Sequence, residues 1–191
     1  MTIRTNPYET ALEAFLRDQR IPYIAVDERR RSLHGNGSLK NLDFIATPPE
    51  GETSWLIDVK GRRFPSGRKN QYWKNWTTSD DLQSLSQWER LLGPRFHGLL
   101  VFVYEVVGDM SPVPAELLYR HDQQLYAFIS IRLDLYLAWA RQISPRWKTM
   151  SMPTTAFRQL AEPLQVTFQG GQSSGGNFHG QGTTAPSVVI S

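Results

Sequence analysis

The chain has no cysteine among its 191 residues, so neither disulfides nor thiolate ligands hold it together, and a bound metal would need oxygen or imidazole donors. Its four histidines, His34, His97, His121 and His179, show no ligand spacing. That leaves carboxylates, and favours Mg²⁺-type chemistry over structural zinc. No segment approaches eighteen uncharged apolar residues, and the opening MTIRTNPYETALEAFLRD lacks the uninterrupted apolar stretch of a secretion signal. The expectation is a soluble, cytoplasmic protein with no membrane partner. Internal repeats are missing, and so is a strong overall charge: the net value is only +3. The cations are unevenly placed, however, which permits a polyanionic partner without requiring one.

What is present suffices for a core. Hydrophobic residues make up 40% and aromatics 12% of a chain of ordinary single-domain size. After about Gln169 the composition changes to GGQSSGGNFHGQGTTAPS, too poor in large apolar groups to offset ordering entropy. One domain over residues 1–168 and a disordered Gly/Ser-rich tail over 169–191 are therefore expected.

Residues 7–20 predict a helix, with Pro7 suited to its first turn and Tyr8, Ala11, Leu12, Phe15 and Leu16 forming one apolar stripe. Glu9 and Glu13 stand one turn apart beside that stripe. Ile21 to Val26 reads as a short strand and DERRRSLHGNGS as a polar loop. Two strand-like runs, Leu39 to Thr47 and Ser54 to Gly61, flank the turn sequence PPEGE and predict an antiparallel hairpin. From Arg62 to Trp76 the chain reads RRFPSGRKNQYWKNW, mixing cations and aromatics without an apolar period, as in a loop or arm. Thr78 or Ser79 can cap a helix from about Asp80 to Leu92, ended by Gly93 and Pro94. His97 to Val107 is nearly all apolar, the pattern of a central strand buried on both faces. Tyr126 to Ile131 suggests a further strand, Leu133 to Ile143 a helix, and Thr154 to Leu160 a short one.

The hairpin carries the chemistry. A turn centred near Glu50 and Gly51 pairs residues whose numbers sum to about 101, which sets Asp43 opposite Asp58. Strand alternation puts Lys60 on the same face as Asp58, while Ile57 and Val59 point into the core. Two like charges opposed near apolar neighbours destabilise a sheet, and a divalent cation resolves the conflict. Asp43 and Asp58 are the candidate ligands for Mg²⁺ or Mn²⁺, with the carbonyl of Val59 as a further donor. Lys60 would then stand beside a nucleophilic water and a scissile phosphate, in a phosphodiester hydrolysis driven by position and electrostatics.

The order of a helix bearing Glu9, a strand, Asp43, then D-V-K at Asp58, Val59 and Lys60, then a helix and a core strand, resembles the PD-(D/E)XK (restriction-endonuclease-like) nuclease superfamily over roughly residues 6–107. The segments NPYETALEAFL and DVKGRRFP are also similar to uncharacterised bacterial proteins grouped with these nucleases. The resemblance implies an α/β fold with an αβββαβ core, a mixed central sheet flanked by helices, and here C-terminal helical additions. It implies a Mg²⁺- or Mn²⁺-dependent nuclease acting on DNA, structured or branched DNA among its substrates, with Asp43 and Asp58 as ligands and Lys60 as the catalytic lysine. Glu9 takes the place of the helix carboxylate of the archaeal Holliday-junction resolvase branch. Leu42 stands where the namesake proline often precedes the aspartate, a variable position. Relatives that cut two strands dimerise, which makes a homodimer one expectation.

Blander readings stand beside each assignment. Asp58 and Lys60 could form a solvated strand edge, and Glu9 could simply favour the positive end of its helix dipole, with Glu13 as its rival on the same side. Gln83 and Gln87, at i and i+4 on the helix after the motif, fit an accessory role near the site or plain solvent exposure. Arg62, Arg63, Arg68, Lys69 and Lys74 could track a phosphate backbone while Tyr72, Trp73 or Trp76 stack on bases, or the aromatics could pack onto the domain. Arg29, Arg30 and Arg31 form a second basic cluster that suits a solvated loop, and the basic segment from Ser144 to Thr149 has no assigned role. The function-level alternatives are a catalytically inactive nucleic-acid-binding protein with this fold, and an interaction protein whose carboxylates are surface groups.

Overall fold

The computed structural model describes residues 6–26, 31–34, 37–49, 51–67 and 72–169. Helix α1 (Pro7–Asp18) starts where expected, because Asn6 caps it by accepting from the Tyr8 amide at 3.1 Å and Pro7 occupies a position that needs no amide hydrogen. There follow β1 (Tyr23–Ala25), β2 (Arg31–His34), β3 (Gly37–Lys40), β4 (Phe44–Ala46), β5 (Ser54–Phe64) and the two-residue β6 (Thr77–Thr78). Helix α2 (Ser79–Leu92) leads into β7 (Phe96–Val106), β8 (Tyr119–His121) and β9 (Gln124–Arg132). The chain continues with α3 (Leu133–Trp139), β10 (Arg141–Ser144), β11 (Thr149–Ser151), α4 (Thr154–Leu160), β12 (Glu162–Pro163) and α5 (Leu164–Gln169).

The main sheet runs β1-β4-β5-β7-β9-β12, with β8 on β9. Its β1, β4 and β5 are antiparallel neighbours and β5 runs parallel to β7, so α1, β1, β4, β5, α2 and β7 reproduce the αβββαβ order with a mixed sheet. Helices cover both faces. On one side the α1 stripe Ala11, Leu12, Phe15 and Leu16 packs with Ile57, Val59, Leu99, Val101 and Val103. On the other, Leu82 and Leu85 of α2, Tyr136 of α3 and Phe157 of α4 pack with Leu56, Leu100, Phe102 and Tyr104. Strand β7 therefore alternates between two buried layers, as a two-sided core strand must, and each such side chain contributes about 1.5–3 kcal/mol by leaving water. Gly61 lets α1 approach the sheet: a Cβ there would lie 2.1 Å from the Tyr8 ring.

Several expectations change. The stretch read as a polar loop contains two paired strands, β2 and β3, while residues 27–30 with Arg29 and Arg30 lie outside the described residues. The first run of the hairpin divides between β3 and β4. The second does not stop at Gly61: parallel pairing with Tyr104, Glu105 and Val106 carries β5 through Arg62, Arg63 and Phe64. The presumed arm is thus largely structural, since Phe64 contacts the rings of Tyr72, Trp73 and Tyr104, and Trp73 reaches Phe157. Helix α3 ends at Trp139, not Ile143, because the residues from Arg141 pair with β11. Gln169 still belongs to α5, and the remaining tail, 170–191, lies outside the described residues.

Candidate metal and phosphodiester site

Antiparallel pairing of β4 with β5 ends at Phe44 opposite Ile57, and one residue outward the Asp43 amide turns to donate to the Ile57 carbonyl at 2.9 Å. Over the paired residues the numbers sum to 101 as expected, and the pairing stops one step short of Asp43 and Asp58. Asp43 is buried, and its Oδ2 accepts from the Val59 amide at 2.6 Å. Val59 itself faces the α1 layer. Burial, with the Asp58 carboxylate beside it and Glu9 nearby, pushes the Asp43 pKa well above the ordinary carboxylate value despite the Val59 bond. Glu9 is buried in the first turn of α1, where the Asn6 amide donates to its Oε1. Its rival Glu13 serves another purpose, accepting from the Tyr23 hydroxyl at 3.0 Å and standing 3.6 Å from Arg17.

Lys60 projects on the Asp58 face. Its Nζ lies 2.7 Å from Asp58 Oδ2 and 3.1 Å from Asp81 Oδ2. The ammonium thus stands within hydrogen-bond distance of the buried Asp58 oxygen and balances its charge. Burial raises the Asp58 pKa, the neighbouring Lys60 lowers it, and the former prevails. For Lys60 burial works against charge, but Asp58 and Asp81 outweigh it and hold the ammonium protonated well above the ordinary lysine value.

Asp81 is a site neighbour that sequence spacing does not single out. It completes a capping box at the start of α2, with its amide bonded to Thr78 Oγ1 at 3.2 Å and its carboxylate receiving the Thr78 amide at 3.3 Å. The same carboxylate accepts from Lys40 Nζ at 2.8 Å. Burial would raise its pKa, yet Lys60 and then Lys40 hold it far below the carboxylate range. Lys40, Asp81, Lys60 and Asp58 thus form an alternating chain of charges, and Lys40, Asp58 and Asp81 line a cleft with Asn41, Ser84 and Trp88. The acid pair Asp80 and Asp81 suits any helix start, so only the packing of α2 over β5 distinguishes Asp81.

The remaining candidates separate. Arg62 lies on the Lys60 face, half-buried, with its guanidinium donating to the Gly61 and Trp76 carbonyls at 2.6 and 2.5 Å and stacked 3.9 Å from the Trp76 ring centre. Arg63 takes the opposite face near Glu105, at 3.8 Å, so the two arginines do not follow one track. Trp73 is packed into the aromatic cluster, the Lys74 carbonyl receives the Tyr104 hydroxyl at 2.9 Å, and Arg68 and Lys69 lie outside the described residues. Gln83 and Gln87 line a separate cleft with Leu137 and Met150 and are not brought to Asp58.

Oxygen donors from Asp43 and Asp58, with a third carboxylate at Glu9, have the chemistry that suits a hard divalent cation. Among the described residues no group of three or more His, Asp or Glu side chains is gathered in ligand geometry. No described helix is long and apolar enough to cross a membrane.

No family model matches the chain, and neither does any curated protein sequence. A solved structure it is similar to is that of Hjc, a Holliday junction resolvase from Archaeoglobus fulgidus, at 18% identity over 63% of this chain and 84% of that one, with a TM-score of 0.35. At that level of superposition the site stands on its own geometry.

Proposed function

We propose that this chain is a Mg²⁺- or Mn²⁺-dependent nuclease of the PD-(D/E)XK type, hydrolysing phosphodiester bonds in DNA. The observation that supports the reading is the pair of interacting carboxylates Asp43 and Asp58, with the Lys60 ammonium 2.7 Å from Asp58. Asp43 and Asp58 would hold the cation, Glu9 would add the helix carboxylate, and the Val59 amide fixes Asp43 in orientation. When bound, the cation supplies Lewis acidity toward a phosphate oxygen and an attacking water. Lys60, kept charged and aimed by Asp81, offsets negative charge as it builds on the phosphoryl oxygens. Burial in a cleft between β5 and α2 strengthens both effects.

One observation favours the second reading, a catalytically inactive nucleic-acid-binding protein: the Lys60 ammonium already balances Asp58 without a metal. An assay against a panel of DNA and RNA duplexes, single strands and junctions, with Mg²⁺, Mn²⁺ or EDTA, separates them. Divalent-dependent cutting that Asp58→Ala and Lys60→Ala each abolish, with far-UV circular dichroism unchanged, is the expected result. Binding without cutting by the wild-type protein would favour the second reading, and wild-type-like cutting by both variants would remove the roles assigned here.

A further inference from the structure

We propose that the turn joining β10 and β11 is a single-strand nucleic-acid contact, built outside the αβββαβ core and tethered to its catalytic face. The proposal rests on the reading of the chain as acting on nucleic acid, and it names where an unpaired strand is held.

Four cations, Arg141, Arg146, Lys148 and Arg158, and no carboxylate occur between Leu135 and Ala161. Three of them stand on the β10–β11 hairpin. At its tip Trp147 is 68% exposed, with the Arg146 guanidinium 5.1 Å from its ring centre. The backbone there is set: the Lys148 amide donates to the Pro145 carbonyl at 3.2 Å, and Lys148 adopts φ 49°. A large aromatic left in water beside a guanidinium and an ammonium offers a stacking surface for a base and cations for the flanking phosphates. Bases within a duplex are stacked on one another, so such a surface selects unpaired ones. The ion pair of Lys148 with Asp80, at 3.5 Å, is exposed and therefore weak, which leaves the ammonium free to meet a phosphate.

Position links the tip to the site. Strand β11 pairs with β6, and the Ser79 amide donates to the Lys148 carbonyl at 2.9 Å. Two residues further on, Asp81 grips Lys60. At the other end of β6 stands a second aromatic and guanidinium pair, Trp76, 40% exposed, and Arg62. Strand β6 therefore joins two stacking surfaces, one beside the Lys60 face and one beyond it. An unpaired strand leaving the Asp58 and Lys60 cleft meets them in turn.

Fluorescence anisotropy of the full chain in EDTA, with a labelled oligothymidine strand and a matched duplex, tests this. Trp147→Ala is expected to weaken single-strand binding roughly 5- to 150-fold, the range for losing one stacked base, while Trp147→Phe stays near wild type. Arg146→Ala with Lys148→Ala should lower the log–log salt slope by about 1.4. Because Trp147 is so exposed, the melting temperature should not move, and a parallel thermal melt checks it. Unchanged single-strand affinity in Trp147→Ala overturns the proposal, as does an equal loss on the duplex. Self-association that Trp147→Ala abolishes, with DNA affinity intact, overturns it in favour of a second copy of the chain. Tip-dependent binding by a protein that cuts nothing would keep this contact and remove the nuclease reading; cutting that ignores the tip would do the reverse.

Discussion

Replacing Gly61 by alanine tests whether α1, and with it Glu9, is seated by direct contact of a ring with the β5 backbone. The new Cβ would lie 2.1, 2.3 and 2.7 Å from Cδ2, Cγ and Cε2 of Tyr8. Restoring the nearest contact to an ordinary 3.4 Å moves the ring by about 1.3 Å. The ring has little freedom to yield, since it stands edge-on to Tyr126 with centroids 6.4 Å apart and its hydroxyl reaches Glu105 at 3.4 Å. Overpacking of this kind typically costs about 1–3 kcal/mol, or roughly 2–12 °C in melting temperature for a domain of this size. Tyr8 adjoins Glu9 in the first helical turn, so the displaced ring also draws that carboxylate away from Asp43. Differential scanning calorimetry of Gly61→Ala, Tyr8→Ala and the double variant gives the answer. With the ring truncated, the added methyl is expected to cost almost nothing, so the double variant should melt with Tyr8→Ala. Additive losses, or a wild-type melt for Gly61→Ala, would refute the contact.

Asn75 is buried, and its amide bridges to the Met152 carbonyl at 3.0 Å, the Met152 amide at 2.9 Å and the Ser151 hydroxyl at 2.8 Å. Asn75→Ala is expected to cost about 2–4 kcal/mol by stranding those groups, measured by urea denaturation; a loss below about 0.5 kcal/mol would contradict it. Thr78→Ala removes the side-chain half of the α2 capping box and is expected to cost about 1 kcal/mol while leaving cleavage rates within a few-fold, because the Lys60 and Asp81 charges remain. A large loss of cleavage from this cap variant would mean that the helix end, not the charge, holds Lys60. For Asp43 the pKa is raised by burial and by Asp58, so its uncharged form is favoured on folding. That contribution is fully present below the unfolded value near 4 and is lost as pH rises through the folded one. Asp43→Asn keeps an acceptor for the Val59 amide and should flatten this part of the stability profile above about pH 4. An unchanged profile in denaturant melts would contradict the shift.

The register of β4 on β5 could be read from residue types alone because a Pro- and Gly-rich turn leaves few ways to pair two short runs. The α2 start was equally legible: Thr78 with Asp81 three residues on is a local signal, and the helix begins there. Partners distant in sequence were not legible. Asp81 reaches Lys60, and Lys40 reaches Asp81, only because α2 lies over β5, a relation set by the crossover to β7. The stretch from Arg62 to Trp76 reads as an arm because its neighbours in sequence are polar. Its rings are in fact completed by Tyr104 and Phe157, from elements much later in the chain. Likewise, helical spacing of apolar residues continues past Trp139, but the pairing of Arg141 with Ser151 replaces helix by strand.

The claim on which the account depends is that Asp43 and Asp58 act together on one divalent ion. Isothermal titration of the purified chain with Mn²⁺ measures it without a substrate. Saturable binding is expected in wild type and in Trp147→Ala, with its loss in Asp58→Ala and a marked weakening in Asp43→Asn. No Mn²⁺ heat from the wild-type protein, or equal affinity in Asp58→Ala, would contradict it.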